Sequence, residues 1–354
     1  MPVLGDEHDY QHPVEGDAAW SESYYFNGYD DGEGVGFFTR VGIRPNEGTM
    51  DASLSIWLPG GDVAHLRARR PQADMVDTSL EVGPVRYDCV TPMREWHLGG
   101  RGQAVVQALG ALAPGPPAGG RPAGRAGGAV DVELDVTFHN LTPPIGAPGD
   151  GGQGDGGQGD GGQGDGGQGE GAAQLAGGSV GKGHFEQAGR LEGTITVDGR
   201  PHRLAEARGN RDKSWGPRRW DVPRMWRWFS VNIGDDVAFG GIRLATAAGD
   251  LHRGWVWRDG SASSVAEWRI TTEVAPDGLT QRHVRLDVLD KTGNTHRVEG
   301  EVMRVAPLSR GRGLEGTLVN EGLVHWRYEG RSGTGIAEYL HQLDGTGHPL
   351  VPIE

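Results

Sequence analysis

One cysteine, Cys89, stands among 354 residues. A lone thiol excludes an intrachain disulfide framework and a thiolate metal cluster. Long hydrophobic runs are missing, so nothing in the sequence reads as a membrane-spanning helix. Met1–Tyr10 carries Asp6, Glu7 and Asp9 with no apolar run behind them. It does not read as a signal peptide, and the expectation is a soluble cytoplasmic protein. Basic residues are in the minority, 34 against 48 acidic, for a net charge of −14. Such a chain is a poor partner for nucleic acid or an anionic membrane. There is no Gly-x-Ser-x-Gly elbow, no phosphate-binding Walker loop and no His-Glu-x-x-His. Gly32-Glu-Gly-Val-Gly36 has spaced glycines, but no βαβ pattern follows, which argues against a dinucleotide site. The thirteen histidines are scattered, and His97, His139, His184 and His325 show no zinc-ligand spacing. The reading calls for no cofactor and no metal.

Glycine, proline and tryptophan are plentiful, at 63, 21 and 11 residues. Short alternating runs end in Gly, Asp and Asn turns, which predicts an all-β fold of sandwiches or barrels. In residues 130–138, Val130, Val132, Leu134, Val136 and Phe138 alternate with polar residues, the pattern of a half-buried strand. Asp198-Gly199 joins two short strands as a two-residue hairpin signal. In residues 149–169 the unit Gly-Asp-Gly-Gly-Gln repeats four times. It has no apolar side chain to offset the cost of ordering, so a disordered linker or loop is expected. These features predict a polar arm over 1–19, which wraps rather than forms core, and a first β domain over 20–148. A glycine-rich linker over 149–180 and a second β domain over 181–354 follow, with exchange of strands between the two left open.

The densest chemistry lies in Gly209-Asn210-Arg211-Asp212-Lys213-Ser214-Trp215-Gly216-Pro217-Arg218. Its flanks read as strands, so the cluster is expected on a turn or strand mouth. Charge of this density beside tryptophan fits a polar site at the edge of an apolar cavity. The plainer reading is a structural corner in which Asp212 caps backbone and pairs with an arginine. Trp226 and Trp228 share parity on one strand, as do Trp255 and Trp257 on another, which fits a pocket wall or a packed core. Glu338 sits in an apolar terminal strand. Pointing inward, it would need a partner such as Arg211 or Arg218. Glu22 and Arg40 read as a site or as salt bridges.

Residues Trp20–Asn27 and Gly36–Gly48, together with Arg211-Asp-Lys-Ser-Trp-Gly-Pro-Arg218, resemble a family of uncharacterised bacterial proteins. That family is similar to carotenoid 1,2-hydratase (hydroxyneurosporene synthase) and the AttH-like proteins. The resemblance implies two lipocalin-like β-barrels in tandem, an architecture shared with tocopherol cyclase and some Diels–Alderases. The motif is usually Arg-Asp-His-Ser-Trp-Gly; here Lys213 stands where the histidine would be.

The expectation is therefore a cofactor-independent hydratase, cyclase or isomerase acting on a hydrophobic terpenoid-, steroid- or polyketide-like molecule. Asp212, Lys213 and Glu338 are the candidate acid and base groups. Arg211, Ser214, Trp215, Arg218, Trp226, Trp228, Trp255 and Trp257 are the candidate ligand-binding residues. The rival is a non-catalytic carrier of an apolar ligand.

Overall fold

The computed structural model describes residues 4–72, 79–109, 126–148, 181–310 and 316–354. The expected linker, 149–180, lies outside them. The strands are β1 (Trp20–Asp30), β2 (Val35–Arg44), β3 (Thr49–Trp57), β4 (Val63–Pro71), β5 (Ser79–Val82), β6 (Val85–Thr91) and β7 (Glu95–Gln107). They continue with β8 (Ala126–Asn140), β9 (Ile145–Ala147), β10 (Gly183–Val197), β11 (Arg200–Leu204) and β12 (Arg208–Pro217). The last eight are β13 (Met225–Ile233), β14 (Val237–Thr246), β15 (Gly249–Arg258), β16 (Ser261–Val274), β17 (Gln281–Asp290), β18 (Thr295–Arg310), β19 (Gly316–Tyr328) and β20 (Arg331–Leu343). Among the described residues no helix is long and apolar enough to cross a membrane.

The protein is all-β, with two large sheets. Strands β13 to β20 form a closed eight-stranded antiparallel barrel. Strands β1 to β12 form a twelve-stranded sheet in which β8 pairs with both β7 and β10. The chain changes sheet between Pro217 and Met225: β10 and β12 follow the glycine-rich tract yet hydrogen-bond with the earlier strands β8, β9 and β1, and β11 extends the same sheet through β10.

Local chemistry explains the elements. Asp198 and Gly199 both have positive φ, 47° and 73°, as a tight two-residue hairpin turn requires. The apolar residues of residues 130–138 are all buried, as their alternation predicts. Each sheet wraps its own core. One contains Tyr24, Phe26, Tyr87, Trp96 and Phe138; the barrel holds Phe229, Phe239, Trp268, Trp326 and Tyr339. A third apolar cluster, with Tyr29, Phe38, Trp57, Trp226 and Leu340, joins the outer faces of the two.

Two expectations need correcting. The charged motif is not a turn: it is β12, held between β1 and β10 over its length. The arm contributes to a core as well as wrapping: Leu4 is buried against Trp20, Phe185 and Trp215, and Asp9 is fully buried.

Candidate functional site

Strand alternation divides the motif between two faces. Lys213 lies opposite Tyr24 and Arg211 opposite Phe26, so both turn inward toward the core of the first sheet. Asp212 lies opposite Tyr25 and Ser214 opposite Ser23, and these turn outward, toward the barrel. A cavity of about 720 Å³ lies on this outer side, within the usual range for a small-molecule site.

Register builds the cavity wall from the first sheet. Glu186, Asp212, Tyr25 and Arg40 form one row across β10, β12, β1 and β2. His184, Ser214 and Ser23 form the next. The facing wall belongs to the barrel, where Ile242, Trp228, Glu338 and Glu321 form a row across β14, β13, β20 and β19.

Three polar groupings face each other. In the first, His184 Nε2 is hydrogen-bonded to Asp212 Oδ2 and lies 3.5 Å from Glu186 Oε1. Glu186 is 1% exposed and accepts two indole N–H bonds from the barrel, from Trp228 at 2.6 Å and Trp255 at 2.9 Å. Gly240 makes room for it: a Cβ there would lie 2.3 Å from Glu186 Oε2 and 2.5 Å from the Trp255 ring. Burial pushes the Glu186 carboxyl up to about 7, and the nearby Asp212 charge adds to the effect. Burial pulls His184 down, but the Asp212 carboxylate outweighs it and raises the imidazole above its ordinary value. The ring is 41% exposed and lines the cavity.

In the second grouping, Trp226 donates to Glu338 at 2.7 Å, and Glu338 shares a hydrogen bond with Glu321. Tyr25 donates its hydroxyl to Glu321 from the other sheet. Burial raises all three, and the Glu338 charge pushes Glu321 higher still. Glu321 is thus the protonated member of the carboxyl pair. In the third, Arg218 Nη2 donates to Ser214 Oγ at 2.8 Å, and its guanidinium stacks on Trp220, 5.5 Å from the ring centre.

Asp212, Ser214, Arg218, Trp226, Trp228, Trp255 and Glu338 therefore meet around one cavity. Arg211, Lys213 and Trp215 do not. Arg211 is ion-paired with buried Asp9, which also accepts from Met93 N at 2.5 Å and Trp96 Nε1 at 3.1 Å. Lys213 is ion-paired with buried Glu22 and donates to Tyr10 O at 2.8 Å. Trp215 stacks on His12, with ring centres 3.7 Å apart. Trp257 shares the parity of Trp255 but packs beside Ile145, Ala188 and Ala238. Arg40 is both wall and salt bridge, 2.8 Å from Asp51.

Sequence reasoning passed over Glu186, Glu321 and Tyr25, and named His184 only among scattered histidines. His97 and His139 have carboxylate partners elsewhere, Asp135 at 2.8 Å and Glu192 at 3.0 Å. His184, Glu186 and Asp212 do bring one ligand atom each within 4.8 Å of one another, a spacing that suits a single cation. Hydrogen bonds already satisfy the group: both Glu186 oxygens accept indole N–H, and Asp212 is bonded to His184.

Residues 5–343 match the model of a family described as a domain of unknown function, DUF7064, and the chain belongs to that family. No curated protein matches. Among solved structures, a Nitrosomonas europaea protein assigned as AttH is 14% identical with a TM-score of 0.55, over 97% of each chain. Kievitone hydratase from Nectria haematococca is 11% identical with a TM-score of 0.56, over 97% of this chain and 94% of that one. CghA is 13% identical with a TM-score of 0.51, over 94% and 90%. The resemblance is one of fold across most of the chain, at low identity.

Proposed function

We propose that the chain is a cofactor-independent enzyme of the hydratase, cyclase or isomerase type, acting on a hydrophobic small molecule in the cavity between the two sheets. One observation carries the reading: Glu186, which holds its proton, and Glu338, which accepts one shared by Glu321, face one tryptophan-lined cavity from opposite walls. Buried acids with raised pKa values are costly as structure and useful as proton donors near neutral pH.

Roles follow from the bonding. His184 is the group presented to the ligand. Asp212 holds Nε2 and stabilises the imidazolium, which leaves Nδ1–H to protonate an alkene or carbonyl. Glu186 sits behind as a reserve proton. On the other wall Glu338 removes a proton or orients water, while Glu321 and Tyr25 set its charge. The indole faces tolerate positive charge developing on the substrate. The kievitone hydratase likeness makes hydration the first reaction to try.

Asp212→Asn keeps the shape but cannot hold the imidazolium. Turnover of an accepted substrate is expected to fall by roughly 10²- to 10⁴-fold with the fold intact. An unchanged rate would end the assignment. Substrate bound by the native protein without product forming would instead mark it as a carrier.

A further inference from the structure

The charges of the cavity are not all paired in contact. His184 faces Asp212, and Arg40 is paired with Asp51. Burial holds protons on Glu186 and Glu321, and the Glu338 carboxylate is taken up by the Trp226 N–H and the proton it shares with Glu321. Arg218 is left without a contact partner of opposite charge; Asp212 and Glu338 act on it only from a distance. Its backbone N donates to Ala19 O at 2.9 Å and its side chain is braced by Ser214 and Trp220, so the guanidinium is fixed in place. Among the described residues no carboxylate lies within ion-pair distance of it, and the bond to Ser214 is the only hydrogen bond its guanidinium makes. Burial depresses its pKa, so its charge is held there at a cost. The same sign recurs farther out, where Arg253 and Lys291 are exposed and line the cavity in a chain of net charge −14.

Resting on the reading of this cavity as the ligand site, we infer that its ligand is an apolar organic acid. The carboxylate, or an enolate of similar shape, is gripped by the free N–H groups of Arg218, and the hydrocarbon body lies on the tryptophans. A guanidinium fork with several unused donors suits a planar two-oxygen anion better than a hydroxyl or ketone. The arrangement fixes which end of the molecule enters first and brings the remainder between His184 and Glu338.

The test uses 1-naphthaleneacetate and its neutral primary amide as probes, titrated against the intact protein by quenching of tryptophan fluorescence. The acid is expected to bind roughly 10- to 100-fold more tightly than the amide. Arg218→Gln should remove that preference while amide affinity stays, which also shows that the variant is folded; Arg218→Lys should restore part of it. Glu186→Gln should keep the preference. Equal affinity of the native protein for acid and amide would overturn the inference and leave the cavity reading standing. So would a preference that survives Arg218→Gln. Failure of both probes to bind at millimolar concentration would sink the two readings together.

Discussion

The two faces of β12 carry buried charge to opposite ends. On the inner face Arg211 and Lys213 are each closed in an ion pair, with Asp9 and Glu22, and the N-terminal arm seals them from water. On the outer face Asp212 and Ser214 meet His184, Glu186 and Arg218 around open space. Residue for residue the inner face is the more charged, yet it has nothing left to offer a ligand. A dense ionic motif is therefore not itself a site. What distinguishes the outer face is unspent capacity: protons held on carboxyl groups and a guanidinium without a carboxylate partner.

The sharpest way to break this contrast is to remove one charge from each face. Lys213→Met leaves Glu22, 1% exposed, with only His12 and backbone to offset its charge. Breaking a buried pair in this way should cost about 3 kcal/mol in a denaturant titration. Asp212→Asn lies at a cavity and should cost no more than about 1 kcal/mol. A larger loss from Asp212→Asn than from Lys213→Met would reverse the assignment of structural and functional faces.

The faces should also titrate in opposite senses. Burial would raise Glu22, but the Lys213 ammonium outweighs it and holds the carboxyl below its ordinary value. That stability is present above the unfolded pKa and lost as pH falls through the folded one. Glu186 is the reverse case, raised from 4.5 to about 7. The folded state holds its proton while the unfolded state has lost it. Its contribution is complete below pH 4.5 and disappears as pH rises to about 7. Glu186→Gln should therefore flatten the decline of stability across that window, by up to about 3 kcal/mol. Identical pH profiles for the variant and the native protein would show that Glu186 is an ordinary ionised carboxylate.

The all-β class, the Asp198-Gly199 hairpin and the alternating strand at 130–138 were legible because each depends on neighbours in sequence. So was the cost argument that singled out Glu338. The same argument would have found Glu321, but Asn320-Glu321-Gly322 interrupts the apolar pattern and reads as a break between two short strands. The structure runs β19 unbroken from Gly316 to Tyr328. Glu186 was missed for a different reason. Its two hydrogen-bond donors, Trp228 and Trp255, come from β13 and β15, and no local pattern reports a bond between two sheets. The division of the motif between faces follows from reading β12 as a strand. Its run of charges argued for a turn, because the groups that make Arg211 and Lys213 bearable inside, Asp9 and Tyr10 on the arm and Glu22 on β1, are more than 190 residues away.

The finest form of the contrast lies within one strand of the barrel. Trp255 and Trp257 share a face of β15, and parity alone makes them equivalent. Trp255 donates to Glu186 and lines the cavity; Trp257 packs at its edge on Ala238 and Ile145 and has no hydrogen bond to the site. Trp255→Phe takes away one of the two donors that hold the Glu186 carboxylate in its charged form, so the Glu186 pKa should rise further and stability should fall by about 1 kcal/mol. Trp257→Phe keeps most of the apolar contact and should cost less than about 0.5 kcal/mol, with the Glu186 titration unmoved. Carbon NMR of labelled glutamate reads both titrations directly. A Glu186 shift of the same size in both variants would mean that bulk at the sheet interface, not the indole N–H, sets the proton affinity of this carboxyl group.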